Sequence, residues 1–371
     1  MNALPAARLA PRDAAVSTAP RSLALDVFRG LTVALMLLVN NLALDRATPA
    51  LLLHAPWGGG VRLADLVFPW FLFATGLSLP FAYASQQRRD PRYRVWVWKA
   101  LQRAFWLFAL GCLVTSVVAR GVVISLGVLQ LIGLAFLVAA LLHPLPIMWR
   151  GAIAAALLIA YWLALRFLPI PGMPAGTFEE GSNLVHFINN AYLEPVGLRG
   201  LASVIPTGAM VLIAACIGAL TRRSGAARVR AAWLFGIGAL LAVAGTIWDL
   251  DLEMNKTVWT PSYILFTAGL VTALLGALTY LETLRWRSCS FAFVVFGSNA
   301  LVAYVAPIIV KVLVLQSWTV APGLTVQGWW LEVLRVWAGA VGGGWLYTAS
   351  YLLAVWLGLY LLYRQRWFLR V

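Results

Sequence analysis

Charge is scarce in this chain. Of its 371 residues only 11% are charged, and only 13 are acidic. No long polar block interrupts the sequence. No stretch alternates in the manner of an outer-membrane barrel strand. Cysteine is rare as well: Cys112, Cys216 and Cys289 stand far apart, without metal-ligand or redox spacing, so no disulfide framework is expected. The three histidines, His54, His143 and His186, are too dispersed to predict a metal site.

Apolar residues fill the space instead. They make up 62% of the chain, and mean hydropathy is +0.85. A soluble protein of this length has no core large enough to hide them. Repeated apolar runs near twenty residues predict an all-α polytopic membrane protein in a lipid bilayer. Ten spans are expected, at 23–43, 63–84, 96–118, 125–142, 149–168, 201–220, 229–248, 261–281, 291–314 and 341–363. Gln327–Trp337 is amphipathic and suits the interface before the last span. Residues 1–20, rich in Ala and Pro, read as a flexible cytosolic tail, and 21–371 as one transmembrane domain.

A net charge of +15 in a soluble protein points to nucleic acid. Here no nucleic acid is expected, because the basic residues gather in alternate short loops. Arg88, Arg89, Arg92 and Arg94 share one loop; Arg222, Arg223, Arg228 and Arg230 share another; Arg150, Arg285, Arg287, Arg364, Arg366 and Arg370 follow the same side. The opposite loops carry most of the acids. This bias predicts both termini in the cytosol. Internal repeats are absent, which counts against an inverted-repeat transporter.

Polar residues inside such a frame need a reason. The stretch Leu53 to Phe73, LHAPWGGGVRLADLVFPWFLF, holds most of them, at the predicted outer face. His54 suits a general base, a nucleophile or a plain interfacial histidine. Asp65, eleven residues on, either fixes the imidazole tautomer or caps the helix that follows; both can hold. Asn40 and Asn41 end the first span, as helix terminators or as donors to a carbonyl oxygen. Gln130, Asn255, Lys256 and Trp259 lie near the same face. Asn299 falls roughly 14 Å into its span, where an interhelical hydrogen bond is the simplest role. Asp26 and Arg29 suit an ion pair or a phosphate site at the other end. Lys311 suits snorkelling. The long loop 169–200, with Glu179, Glu180, His186, Asn189 and Asn190, is expected to wall an outer cavity.

The ordered segments RSLALDVFRGLTVALMLLVNN, HAPW and ADLVFPWFLFATG resemble the heparan-α-glucosaminide N-acetyltransferase family and its bacterial relatives. GVLQ at 127–130, EPVGL at 194–198, NKTVW at 255–259 and FGSNAL at 296–301 extend the resemblance across most of the chain. It implies a transmembrane acetyltransferase that uses cytosolic acetyl-CoA, without a metal, to acetylate an amino sugar at the opposite face. The family's active-site histidine falls on His54, its asparagine on Asn40 and its aspartate on Asp65. By the same reading, Arg29, Gln130 and Asn299 serve acetyl-CoA, and Trp57, Asn255, Lys256 and Trp259 serve the acceptor. A bacterial inner membrane and a homodimer are expected.

There are departures from the family pattern. Between Trp57 and Asp65 the chain is one residue longer than in the family's lysosomal members. Gly58-Gly59-Gly60 replaces a more polar turn, and Leu131 stands where a basic residue is expected. No counterpart of their large luminal N-terminal region is expected, which directs the expectation to a small amino sugar such as glucosamine. Sugar O-acetylation and sugar transport without chemistry are the competing readings.

Overall fold

A computed structural model describes residues 23–222, 225–284 and 287–369. The tail 1–20 and the arginines Arg223, Arg285 and Arg370 lie outside the described residues. The fold is α-helical. Its helices are α1 (Leu23–Asn40), α2 (Leu63–Arg89), α3 (Tyr93–Ala119), α4 (Val128–Leu142), α5 (Ile147–Phe167), the short α6 (Leu184–Ile188), α7 (Val204–Thr221), α8 (Ala227–Asp249), α9 (Pro261–Thr283), α10 (Arg287–Ser298), α11 (Ala300–Val310) and α12 (Val326–Arg364). Two small antiparallel hairpins decorate the loops: β1 (Phe178–Glu179) with β2 (Ser182–Asn183), and β3 (Thr319–Ala321) with β4 (Leu324–Thr325).

Among the described residues, eight helical segments are long and apolar enough to cross a membrane, and the bent pair α10–α11 makes a ninth if counted as one span. The remaining predicted span, 125–142, corresponds to α4, an apolar helix of only 15 residues. The helix α2 sits at the centre. Leu72, Phe73, Leu77 and Leu79 are fully buried, and α2 packs on α1, α4, α7 and α9. Apolar side chains all round its axis are what a central bundle helix requires. Small residues let neighbouring backbones meet: a Cβ on Gly238 would approach Ala273 N to 2.6 Å across the α8–α9 contact.

One expectation changes in detail. The predicted single span 291–314 is broken. Asn299 leaves helical geometry, and the axis turns by 75° between α10 and α11. The Asn299 side chain explains the break, since its amide bonds backbone of the C-terminal segment at Trp367 and Leu369. The range of α12 spans two helices separated at Gly339, where φ is 75° and ψ 172°: the amphipathic Gln327–Trp337 lies before the break and the predicted last span, 341–363, after it, as expected.

At the end of the bundle remote from His54, His143 packs in an aromatic corner. Tyr83 meets its ring edge-on at 4.8 Å, and Arg150 Nη1 donates to its Nδ1 at 2.9 Å. Burial, then the charges of Arg150 and Arg222, push its pKa from 6.5 down to about 4. Between those values the unfolded chain takes a proton that the folded one refuses, so stability falls as pH falls through this window. Against His143→Gln, the wild type should lose roughly 2 kcal/mol more between pH 7.5 and 5. Unfolding in detergent at the two pH values measures this, and equal losses would refute it.

Candidate active site

Two loops converge at one end of α2. The first, 41–62, brings His54 through a glycine-rich turn in which Gly58 and Gly60 adopt φ of 70° and 71°. A side chain at either position would be strained. The second loop, between α8 and α9, brings Lys256 and Trp259. Asn255 organises it: its Oδ1 accepts the N–H groups of Thr257 at 2.9 Å and Val258 at 3.3 Å, and its own N–H donates to Thr260 Oγ1. This bracing holds Trp259 at φ 57°, a conformation that costs a bulky residue on the order of 1–3 kcal/mol. The result is an indole wall, packed edge-on against Phe68 at 5.1 Å.

At the centre, His54 Nδ1 lies 2.8 Å from Asp65 Oδ1. The other carboxylate oxygen accepts the N–H groups of Ala55 and Arg62, at 3.0 and 3.1 Å. Asp65 thus does two things at once. It reaches back to cap α2 from its third position, and it faces the imidazole. The side chain of Asp65 is 3% exposed and that of His54 is 59% exposed. The carboxylate is fixed, and the ring presents its other nitrogen outward. Lys256 Nζ completes the cluster at 3.1 Å from His54 Nδ1 and 3.4 Å from Asp65 Oδ1. Burial draws the Lys256 pKa below its ordinary value, against the pull of Asp65. Beneath this cluster, the Tyr263 hydroxyl donates to the Asp65 carbonyl. The cluster borders a cavity of about 350 Å³, walled by Trp57, Phe68 and Trp259.

A larger cavity, of about 520 Å³, occupies the other half of the bundle. It runs along α2 from Phe71 through Ala74 and Ser78 to Ala82, and it holds Asp26, Arg29 and Arg103. The guanidinium of Arg103 sits over Phe136, 4.5 Å from the ring centroid. Its Nε is buried without a hydrogen-bond partner, and among the described residues Arg103 forms no ion pair. Phe68 lines the first cavity and Phe71 the second. Three residues of helix, a rise of about 4.5 Å, separate them.

Comparison with known proteins adds the decisive observation. The profile of the catalytic region of heparan-alpha-glucosaminide N-acetyltransferase matches residues 21–246, more than half of the chain. The chain belongs to this family. Its relatives include the heparan-alpha-glucosaminide N-acetyltransferases of Mus musculus, 30% identical over 193 residues, and of Homo sapiens, 30% identical over 191. Each alignment covers 44% of this chain and less than a third of the relative, 29% and 28% respectively.

Within this heparan-alpha-glucosaminide N-acetyltransferase fold, the predicted site residues divide. His54, Trp57, Asp65, Asn255, Lys256 and Trp259 share one cavity, and Arg29 lines the other. Asn40, Gln130 and Asn299 line neither. The Asn40 carbonyl accepts from Lys311, as does Asn41 Oδ1 at 3.0 Å. Gln130 is buried, and its Nε2 donates to Ser125 O and Thr115 Oγ1, so it ties the start of α4 to α3. Asn299 spends both ends of its amide on the C-terminal segment. Sequence reasoning passed over Arg103 and Tyr263. An arginine seven residues into the predicted span 96–118 was a readable signal; a tyrosine in a span was not.

Proposed function

We propose that this protein is a membrane acetyltransferase that moves an acetyl group from acetyl-CoA to the amine of an amino sugar. The carrying observation is the pairing of two cavities along one helix. The imidazole–carboxylate cluster faces one, two arginines face the other, and one helical turn lies between. The larger cavity takes the donor from the cytosolic side, its phosphates against Arg29 and Arg103. The thioester arm then follows α2 past Phe71 towards Phe68. The acceptor sugar sits beside Trp57 and Trp259 at the opposite face of the membrane.

With Nδ1–H donating to Asp65, the His54 lone pair is on Nε2, the nitrogen turned outward. It takes a proton from the sugar ammonium, and the freed amine attacks the thioester carbonyl to form a tetrahedral oxyanion. As that oxyanion collapses the C–S bond breaks, and the thiolate leaves with the proton shed by the nitrogen. Overall, one ammonium and one thioester give one amide, one thiol and one released proton. His54, with its side chain 59% exposed, passes that proton directly to solvent. Asn40 lines neither cavity and Asn299 spends its amide on the C-terminal segment, so the oxyanion falls to Asn255 Nδ2, the end of that amide which its loop contacts leave over.

The test uses purified protein in detergent with labelled acetyl-CoA and glucosamine. Wild type should yield N-acetylglucosamine, and His54→Ala should yield none above background. An alkali-labile product would instead indicate O-acetylation. A folded protein that neither binds nor consumes acetyl-CoA would sink the enzyme reading in favour of transport.

A further inference from the structure

The loop between α5 and α7 holds a third recess, of about 300 Å³, on the same end of the bundle as His54. Ser182, Asn183, His186 and Asn190 supply its polar lining, and Phe187 supplies an aromatic face. We propose that this recess is a second sugar subsite, taking an uncharged pyranose that neighbours the acceptor amino sugar in an oligosaccharide. The proposal rests on the amino-sugar reading of the His54 cavity and extends it from one ring to at least two.

Continuity with the His54 cavity is the first argument. Trp57, a wall of that cavity, packs on Phe178 with ring centroids 5.2 Å apart. Phe178 is the cross-strand partner of Asn183, which lines the recess. One hairpin therefore joins a wall of the first site to the lining of the second. Ile170 and Phe187 of the recess belong to the same apolar cluster as Trp57 and Val258, so the wall is packed rather than a loose loop.

The second argument is preorganisation. Asn183 is buried, with its Oδ1 accepting the His186 N–H and its Nδ2 donating to the Glu179 carbonyl. Asn190 Nδ2 donates to His186 Nε2 at 2.8 Å across one turn. With Nε2 accepting, the ring proton of His186 is on Nδ1. The pair thus keeps one N–H donor and, on Asn190 Oδ1, one acceptor for other partners. A π-helical turn at Asn189–Leu193 follows, a geometry that costs stability and recurs at functional sites.

The third argument concerns charge. Among the described residues, no acid, lysine or arginine lines the recess. The hairpin turn beside it carries Glu179 and Glu180. Hydroxyl-sized donors and acceptors, an aromatic face and an acidic rim suit a neutral sugar ring and disfavour a sulfated one.

The experiment compares acceptors on the full-length protein. Wild type should show a KM for glucosaminyl-N-acetylglucosamine at least fivefold below that for glucosamine. Loss of one or two hydrogen bonds predicts a rise of about 3- to 10-fold in the disaccharide KM for Asn190→Ala. The glucosamine KM and kcat should move less than twofold. Ser182→Ala, in the strand β2 rather than the turn that carries Asn190, should act the same way and guards against a folding defect in the first variant. Calorimetry with di-N-acetylchitobiose reads the recess without turnover, and binding by wild type but not by Asn190→Ala is expected. Equal KM values for the two acceptors, no calorimetric binding, or a preference for a sulfated disaccharide would each overturn the subsite. Failure to acetylate any amine while chitobiose still binds would overturn the catalytic reading alone.

Discussion

Asp65→Asn should fold normally and lose about 10³–10⁴ in kcat. The substitution keeps the shape and one oxygen. If that oxygen stays on the Ala55 and Arg62 amides, which now hold Asp65 Oδ2, the cap of α2 survives. The amide nitrogen then takes the place of Asp65 Oδ1, 2.8 Å from His54 Nδ1. An N–H group there donates, so Nδ1 must accept, and the imidazole proton moves to Nε2. The outward nitrogen then has no lone pair for the sugar ammonium. Lys256 Nζ, 3.1 Å from Nδ1, can donate to that nitrogen once it accepts, so in the variant it favours the same tautomer. Steady-state rates with both substrates saturating, beside unfolding curves for the two proteins, make the test. A variant with near wild-type kcat would mean that Asp65 is only a helix cap.

The variant also separates what the sequence made legible from what it did not. His54 and Asp65 sit eleven residues apart on either side of a glycine turn, and local geometry alone brings them together. The ring contact expected of Asp65 is there, whereas its cap comes from the third helical position, with Arg62 at the N-cap itself. Lys256 is a different case. It is 202 residues from His54, and nothing local marks its ammonium for the imidazole. The helical frame was readable because lipid forces apolar runs of fixed length. The break at Asn299 was hidden, since a run of apolar residues around one Asn reads as continuous helix. Its cause is a contact with the chain's other end, 68 residues on. Gln130 shows the same limit in reverse. A polar side chain at the right depth looked like a ligand for the donor, yet neighbouring backbone and Thr115 use its amide.

Arg103→Met should raise the KM for acetyl-CoA by about 10- to 100-fold, the loss of a charge-assisted contact of about 1.5–3 kcal/mol. The same change should leave the KM for glucosamine unaltered and make the protein more resistant to heat. The two effects have one origin. A guanidinium in a membrane span costs about 3 kcal/mol, and here Phe136 is the partner the protein offers its face. Nε is buried without an acceptor. Such a group is poor for stability and well placed for an anion that enters the cavity. Methionine fills similar volume and removes the desolvation cost, so the empty protein gains while donor binding loses. Arg103→Lys distinguishes charge from shape: a point charge on Lys restores part of the affinity, whereas a bidentate grip on phosphate demands the planar fork. Donor KM and thermal midpoints of the three proteins, measured side by side, decide it. An unchanged donor KM in Arg103→Met would move the phosphates away from this cavity. A fall in thermal stability would instead mark Arg103 as a structural cation held by Phe136.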